Sequence, residues 1–282
     1  MVRVSAIQLT STPNVEENIA NIEQQLSAIA SHQNHLVVLP ECCLYFGGRD
    51  AEQVDLAKAT SADNTLVRQL ANLANKYSIT LVAGSIPLYQ AQTQKFTNTC
   101  CVFSPQGELI SEYSKIHLFD VNVDDNEKTY CESRYTQAGD QVKTADFGDI
   151  KVGLTVCYDL RFPELYRQLT TLGAKIITVP SAFTKVTGKA HWQTLLRARA
   201  IENQVYIVAA GQQGEHANGR ETWGHSMIIS PWGDIIACRE EGQGIITADI
   251  DLNDIDKVRK AIPVAEHNRF TTKLKHLIKV TS

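Results

Sequence analysis

Short apolar segments typical of β-strands alternate with amphipathic helical segments through both halves of the chain. The first strand is expected at Val2 to Gln8, because apolar and polar residues alternate there. Alternation of strands and helices covers sheets with helices, and strands that are apolar throughout are buried on both faces. The sequence therefore predicts an α/β fold built as a layered sandwich. Further strands are expected at 36–39, 80–85, 98–103, 109–113, 152–156, 176–179, 205–210, 227–229, 235–237 and 245–250.

The helical segments carry recognisable start signals and apolar stripes. Asn14, with Glu17 three residues later, has the pattern of a capping box at the start of a helix. Pro163 suits the first turn of a later helix, where its missing N–H costs nothing. Two further helices are expected at 191–203 and 252–260. The stripes of the first two helices consist of Ile19, Ile22, Leu26 and Ile29, then Leu66, Leu70 and Leu73.

One long segment, residues 115–144, is polar and shows neither the helical nor the strand period. A loop of this length inside a compact domain is usually functional. The sequence contains no linker, low-complexity stretch or strong repeat, so residues 1–282 are expected to form a single domain. A basic tail begins at about Glu266 and is expected to pack on the domain surface or on a partner.

The composition argues against several classes of partner. The chain has 27 Lys and Arg against 31 Asp and Glu, a net charge of −4 with no basic cluster, which disfavours nucleic acid and anionic membranes. No apolar run approaches the roughly 20 residues of a membrane span, and the N-terminus lacks the pattern of a signal peptide. The seven cysteines are odd in number and contain no C-x-x-C, which disfavours a disulfide framework or a zinc site. We therefore expect a cytoplasmic protein.

Three ionisable residues each stand just past an apolar strand: Glu41, Lys115 and Cys157. The carboxyl ends of strands are where α/β sheets place active sites, so folding could bring these residues together. A carboxylate base, an ammonium that stabilises an oxyanion and lowers the thiol pKa, and a thiol nucleophile together form a catalytic set. Taken singly, each residue also has a structural interpretation, as a helix-start acid, a surface loop charge and a small buried residue.

Two alternatives compete with this interpretation. A Cys–His hydrolase would pair Cys157 with His117, His191 or His225. A non-catalytic binding or scaffold protein would retain the fold without activity. Ammonia release from a panel of amides separates the enzymes from the binding protein.

Three segments, 36–41, 115–120 and 153–164, resemble in sequence and in order the three signatures of the nitrilase superfamily of carbon–nitrogen hydrolases. The resemblance extends from the first strand to about Phe270. Further similar stretches lie at 180–183, 191–203 and 224–233. The resemblance implies a four-layer α-β-β-α sandwich and chemistry without a metal or organic cofactor. It also implies a homodimer or larger homo-oligomer formed through outer helices and the tail.

The same resemblance implies the roles of individual residues. The catalytic Glu-Lys-Cys set falls on Glu41, Lys115 and Cys157. The second glutamate of the family's site falls on Glu132 in the long polar segment, with Glu127 as the alternative, and the competing interpretation of Glu132 is an exposed loop acid.

The residues after Cys157 indicate a branch within the superfamily. Nitrile hydrolases usually continue with Trp-Glu, whereas this chain continues with Tyr158-Asp159, which resembles the amidases. The surrounding segment is most similar to the deaminated glutathione amidases, with omega-amidases acting on 2-oxoglutaramate as the alternative. A small acidic amide with a 2-oxo group is the implied substrate. The implied substrate contacts are Arg161, Phe183, Thr187, Tyr45 and Tyr158.

Two of these contacts have structural alternatives. Arg161 could instead form an ion pair with Glu164 or Asp159. Phe183 could be an ordinary core residue.

Overall fold

The structure, a computed structural model, describes residues 1–30, 32, 34–125, 127 and 129–274. The strands it describes are β1 (Val2–Gln8), β2 (His35–Val38), β3 (Thr80–Val82), β4 (Ile86–Gln90), β5 (Lys95–Phe103), β6 (Leu109–Ser114), β7 (Asp120–Asn122), β8 (Thr129–Cys131), β9 (Thr144–Phe147), β10 (Ile150–Leu154), β11 (Ala174–Ser181), β12 (Tyr206–Gly211), β13 (Gln213–Glu215), β14 (Glu221–Trp223), β15 (Ser226–Ile229), β16 (Ile235–Arg239) and β17 (Gly244–Ile250).

The α-helices among the described residues are α1 (Val15–Ser27), α2 (Asp50–Thr60), α3 (Thr65–Tyr77), α4 (Pro163–Thr171), α5 (Lys185–Asn203), α6 (Asn253–Ala261) and α7 (Val264–His267). Two short 3-10 helices cover Glu132–Arg134 and Cys157–Arg161. Within the described part of the chain, no helix has both the length and the apolar character needed to cross a bilayer.

Two large sheets form the centre of the fold. The first has the order β17-β1-β2-β3-β5-β4, with β6 also paired to β5, and the second has the order β16-β15-β12-β11-β10-β9. β1, β2 and β3 run parallel in the first sheet, as do β10, β11 and β12 in the second. Each sheet thus has a parallel centre whose strand ends can present side chains at a common edge.

Alternating residues of the first sheet enter two different cores. In β2, Leu36 and Val38 join the core shared with the second sheet, whereas Val37 joins the core beneath α1 and α3. The adjacent cysteines of β5 separate in the same way, with Cys100 in the shared core and Cys101 in the outer one. This follows from the two-residue period of a strand. The opposite face of the second sheet packs against α4 and α5, so the predicted four-layer α-β-β-α sandwich is confirmed.

The expected start of α1 is largely confirmed. The Asn14 side chain accepts a hydrogen bond from the backbone N–H of Glu17 at 3.1 Å. The Glu17 carboxylate does not complete the capping box but accepts from the Thr12 hydroxyl at 2.9 Å. Pro163 is the first residue of α4, as predicted.

Helix α2 and strand β4 are among the elements that the sequence did not predict, and each has an identifiable reason. Helix α2 has no apolar stripe, since Ala57 is its only fully buried residue among those described. Strand β4 contains Pro87, which cannot donate a ladder hydrogen bond and is tolerated at a sheet edge. Neither segment therefore shows the periodicity that identifies the other elements.

The prediction of a structureless loop at 115–144 was wrong in part. The segment contains a hairpin of β7 and β8, the 3-10 helix at Glu132–Arg134 and the start of β9. These strands have three or four residues each, too few to show a period. Residues 126 and 128 of this segment and residues 275–282 of the predicted tail lie outside the described residues.

Candidate active site

Glu41 lies just beyond the carboxyl end of β2 and begins the turn that follows Pro40. Gly84, which has φ +49°, lies against this turn. A Cβ at Gly84 would lie 1.9 Å from the Pro40 carbonyl oxygen, so the close approach requires glycine. The backbone carbonyl of Glu41 also accepts a hydrogen bond from Gln212 at 3.0 Å. These contacts hold the backbone of the turn, and they therefore fix the position from which the buried Glu41 side chain extends.

Lys115 follows β6 and is held through its backbone on both sides. Its N–H donates to the carbonyl of Asn98 at 2.9 Å, and its carbonyl accepts from the N–H of Gly139 at 2.8 Å. A Cβ at Gly139 would lie 2.1 Å from the Ser114 carbonyl oxygen, so this contact also depends on glycine. Only 2% of the Lys115 side chain is exposed, although an unpaired lysine is rarely buried.

Cys157 starts the short 3-10 helix after β10 and has φ +51°, a left-handed conformation that is costly for a residue with a Cβ. The buried Asp159 carboxylate braces this turn. It accepts hydrogen bonds from Val156 N–H at 2.9 Å and from the Tyr113 hydroxyl at 2.7 Å. It also accepts from the backbone N–H of His117 at 3.2 Å. Asp159 therefore ties the turn of the thiol to the segment that carries Lys115.

The side chains of Glu41, Lys115 and Glu132 meet in one hydrogen-bonded group. Lys115 Nζ lies 2.9 Å from Glu41 Oε1 and 2.9 Å from Glu132 Oε2. Glu41 Oε2 accepts from the backbone N–H of Ala182 at 2.9 Å. The Cys157 thiol lies close enough to Glu41 and Lys115 for both of their charges to act on its pKa. The structure thus brings together the four residues that the sequence analysis placed in the catalytic set.

The charges of this group depend on one another. Burial works against the Lys115 ammonium, but the neighbouring Glu132 and Glu41 carboxylates outweigh it and raise the Lys115 pKa well above its ordinary value. Burial and the nearby Glu41 raise the pKa of Glu132, although Lys115 opposes this. The ammonium is therefore a permanent positive charge between the two carboxyl groups.

Lys115 lowers the pKa of the Cys157 thiol, as expected, but two other influences outweigh it. Burial and the adjacent Glu41 carboxylate raise the pKa of Cys157 well above its ordinary value, and Lys115 only reduces this rise. The resting nucleophile is therefore a thiol, which must lose its proton as it attacks.

A cavity of about 920 Å³, including its open mouth, lies over this group. Glu41, Lys115, Cys157 and Glu132 all line it. Among the described residues that line the cavity, none is a histidine. This disfavours a Cys–His pair, since His117 bonds to Asp159, His191 contacts Arg161 and His225 stacks on Trp223.

Four of the five expected substrate contacts line the same cavity: Arg161, Phe183, Thr187 and Tyr158. The Arg161 guanidinium lies over the Phe183 ring at 5.2 Å and the Tyr158 ring at 5.9 Å, and approaches His191 Nδ1 at 3.3 Å. No ion pair joins it to Glu164 or Asp159 within the described part of the chain. Phe183 serves two purposes, because its ring also packs on Trp192 in the core.

Two residues named from the sequence lie elsewhere in the structure. Tyr45 does not line the cavity, and its hydroxyl donates to Glu52 at 2.6 Å outside it. The neighbouring Phe46 lines the cavity instead. Glu127, the alternative to Glu132, pairs with Arg220 at 3.5 Å. Glu132 therefore occupies the position beside Lys115.

Several residues of the cavity were not predicted from the sequence. Asn98 contacts both carboxylates of the site, and the aromatic residues Phe119 and Tyr130 contact each other at 5.1 Å along the wall. Arg220 stands over the Tyr130 ring at 5.4 Å and pairs with Asp50 at 3.2 Å. These residues come from distant segments and follow no local pattern, so only the fold reveals them.

The carbon–nitrogen hydrolase family profile matches residues 3–260. The chain belongs to the carbon–nitrogen hydrolase family. A relative from Yersinia enterocolitica, named deaminated glutathione amidase, is 40% identical over 272 residues and covers 96% of this chain and 94% of its own. The predicted enzyme class, a hydrolase of carbon–nitrogen bonds, is confirmed.

Solved structures agree with this assignment. The Caenorhabditis elegans NitFhit protein matches this carbon–nitrogen hydrolase with a TM-score of 0.89 and 36% identity, over 99% of this chain and 68% of its own. Nit3 of Saccharomyces cerevisiae, described as a member of branch 10 of the nitrilase superfamily, matches with a TM-score of 0.84 and 34% identity. That match covers 95% of this chain and 97% of its own.

Proposed function

We propose that this carbon–nitrogen hydrolase is an amidase that cleaves the amide of a small acidic 2-oxo compound through a thioester on Cys157. The observation that carries the proposal is that Cys157, Glu41 and Lys115 line one cavity, with Lys115 Nζ 2.9 Å from Glu41 Oε1. A thiol, a base and a fixed cation are the groups that nucleophilic acyl transfer requires.

The first half of the reaction forms the thioester. Glu41 takes the proton of the Cys157 thiol as sulfur attacks the amide carbonyl. Lys115 and the backbone N–H of Tyr158 stabilise the oxyanion, since the first N–H groups of a helix have no acceptor inside it. Glu41 then gives its proton to the departing nitrogen, the C–N bond breaks, and ammonia or an amine leaves.

The second half releases the acid. Glu41 takes a proton from a water molecule that attacks the thioester, and the C–S bond breaks with return of that proton to sulfur. Glu132 keeps Lys115 in place throughout, through both of its carboxylate oxygens. The steps consume one water per amide and use no metal or organic cofactor.

Deaminated glutathione is the proposed substrate. Curated relatives from Yersinia enterocolitica and Rattus norvegicus, 40% and 39% identical, bear the name deaminated glutathione amidase. Within the cavity, Arg161 offers a guanidinium whose N–H groups can bind a carboxylate in two parallel hydrogen bonds. Thr187 lies nearby at the start of α5, where its hydroxyl shares a hydrogen bond with Thr184 at 2.8 Å.

The experiment compares deaminated glutathione with 2-oxoglutaramate as substrates of the purified protein. We expect higher kcat/KM on deaminated glutathione, with aliphatic nitriles inert. A preference for 2-oxoglutaramate would assign the protein to the omega-amidase alternative. Failure to release product from any amide would favour the non-catalytic alternative.

We further propose a homodimer or larger homo-oligomer that forms through the outer helices of the second half. Three large apolar side chains on or beside α4 and α5 support this: Leu172, Val186 and Ile201, each about half exposed. Light scattering of the purified protein tests it. Cytoplasmic location is also a proposal, supported by seven cysteines that form no disulfide.

A further inference from the structure

Asn98 of β5 contacts three of the four residues proposed to act in catalysis. Its backbone carbonyl accepts from the N–H of Lys115 at 2.9 Å. Its side-chain Nδ2 donates to Glu41 Oε1 at 2.9 Å and to Glu132 Oε1 at 3.3 Å. Only 5% of the residue is exposed, and it lines the cavity. Asn98 is thus part of the hydrogen-bonded group that contains Lys115, Glu41 and Glu132.

The orientation of the Asn98 amide follows from these partners. Both carboxylate oxygens already accept hydrogen bonds from the Lys115 ammonium, at 2.9 Å for Glu41 and 3.1 Å for Glu132. An acceptor facing them would be repelled, so the NH₂ group must point toward Glu41 and Glu132. The carbonyl oxygen Oδ1 is left on the other branch of the amide.

This Oδ1 accepts no hydrogen bond from the described residues, and it is not among the side-chain atoms that are sealed from solvent without a partner. It therefore has accessible surface, and the cavity is the space that this buried residue borders. A buried carbonyl oxygen that faces a cavity offers a hydrogen-bond acceptor to whatever binds there.

The ligand atom that this acceptor suits is the nitrogen of the scissile bond. In the proposed mechanism Glu41 must reach that nitrogen to protonate it, and Asn98 Nδ2 lies 2.9 Å from Glu41 Oε1. Nδ2 and Oδ1 share one carbon atom, so a nitrogen within reach of Glu41 can also be within reach of Oδ1. An amide nitrogen carries an N–H, whereas the matching oxygen of an ester carries none.

We propose that Asn98 positions Glu41 and Glu132 through its Nδ2, and that its Oδ1 accepts the N–H of the scissile amide and so favours amides over esters. The inference rests on the proposed function. It makes Asn98 both a positioning residue and a determinant of specificity for the bond that is cleaved.

The test uses the full-length protein with 2-oxoglutaramate and with the matching 5-methyl ester of 2-oxoglutarate. Asn98→Leu removes both the donor and the acceptor, so both substrates should lose rate. The amide should lose a further factor of roughly 5 to 150, because its buried N–H is left without an acceptor. The ratio of kcat/KM for amide to that for ester should therefore fall by that factor.

Asn98→Asp separates the two roles and serves if Asn98→Leu does not fold. The aspartate retains an oxygen for the substrate N–H but replaces the donor to Glu41 and Glu132 with a negative charge. We expect lower rates on both substrates with the amide-to-ester ratio kept near the wild-type value. Thr99→Val, at a buried strand neighbour that bonds to Thr97 and Ser114, is the matched control and should leave rates and ratio unchanged.

The results separate three claims: the contact with the scissile N–H, the positioning role of Asn98 and the proposed function. An unchanged amide-to-ester ratio in Asn98→Leu, or a ratio in Asn98→Asp that falls as far as in Asn98→Leu, would overturn the contact with the scissile N–H. Wild-type rates in both variants would overturn the positioning role as well. If the wild-type protein hydrolyses neither substrate, nor any other amide, the proposed function fails and this inference fails with it. If the wild type cleaves the amide but one of the first two results is found, the Asn98 inference is refuted and the proposed function stands.

Discussion

The buried end of the cavity, at Lys115 and Glu41, differs in construction from its more exposed end, at Arg161. These two regions are called the floor and the mouth. At the floor, Lys115 and Glu41 expose 2% and 5% of their side chains, and each forms several hydrogen bonds inside the protein. At the mouth, Arg161 stacks on aromatic rings and forms one polar side-chain contact, with His191, among the described residues. The floor is therefore set before any substrate binds, whereas the mouth retains hydrogen-bond donors for a ligand.

This difference assigns separate tasks to the two regions. Preorganised charges at the floor stabilise a transition state without reorganisation. Unused donors at the mouth bind the non-reacting part of a substrate, which chiefly affects KM. Substitutions at the floor should therefore lower kcat for every substrate, and substitutions at the mouth should change the preference between substrates.

The largest effect is expected at the nucleophile. Cys157→Ala should abolish turnover, because no thioester can form, while the melting temperature stays near that of the wild type. Cys238→Ala, at an exposed thiol that does not line the cavity, is the matched control and should remain active. Product release and thermal melting measure the two properties. Full activity of Cys157→Ala would end the thioester mechanism.

A somewhat smaller loss is expected at the floor cation. Lys115→Met should lower kcat by a factor of at least about 10² to 10³, the usual effect of losing one oxyanion donor. It also leaves the buried Glu41 carboxylate and the partly buried Glu132 carboxylate without their shared cation, so the melting temperature should fall. Lys76→Met, which removes an exposed lysine paired with Glu23, is the control and should change neither property. A near-normal kcat in Lys115→Met would show that the floor does not stabilise the oxyanion.

At the mouth, the effect should depend on the substrate. Arg161→Lys should lower kcat/KM for a 2-oxo acid amide by roughly tenfold to a few hundredfold, mostly through KM, because lysine cannot form two parallel hydrogen bonds with a carboxylate. A simple uncharged amide should lose little and serves as the internal control. Equal losses on both amides, measured by steady-state kinetics, would make Arg161 a structural residue.

The smallest effect is expected just outside the cavity. Tyr45→Phe removes the hydroxyl that donates to Glu52 at 2.6 Å, and Tyr45 does not line the cavity. Activity should therefore stay within about twofold of the wild type, and the melting temperature should fall only slightly, because solvent screens the exposed Glu52 carboxylate. Steady-state kinetics and thermal melting separate the two. A tenfold loss of kcat/KM would show that the mouth extends to Tyr45.

The floor was predictable from sequence and the mouth was predictable only in part. Glu41 and Cys157 each follow a buried strand, and Lys115 follows β6, whose end the sequence located to within one residue although half of the strand's residues are exposed. Asn98 and Arg220 follow no such signal, because their partners are far away in sequence. Tyr45 was misplaced by a single position, since the irregular turn after Glu41 directs Phe46 rather than Tyr45 toward the cavity.

The elements of the fold also divide into those that the sequence predicts and those that it does not. Elements with a clear apolar period, such as α3 and β5, lie where the sequence placed them. Helix α2 and the β7–β8 hairpin were missed because short or weakly amphipathic segments gain their structure from tertiary contacts rather than from their own pattern.

Glu41 and Lys115 extend from the first sheet, whereas Cys157 and Ala182 extend from the second. The reactive group therefore straddles the seam between two sheets, the first of which pairs β1 from the start of the chain with β17 from its end. During refolding from denaturant, strands within each sheet can pair before the two sheets dock, and such an intermediate has no complete site. Recovery of turnover consequently times the docking step, whereas circular dichroism reports the earlier formation of secondary structure. Two separately expressed halves, split between β9 and the preceding segment, would regain activity only on reassociation.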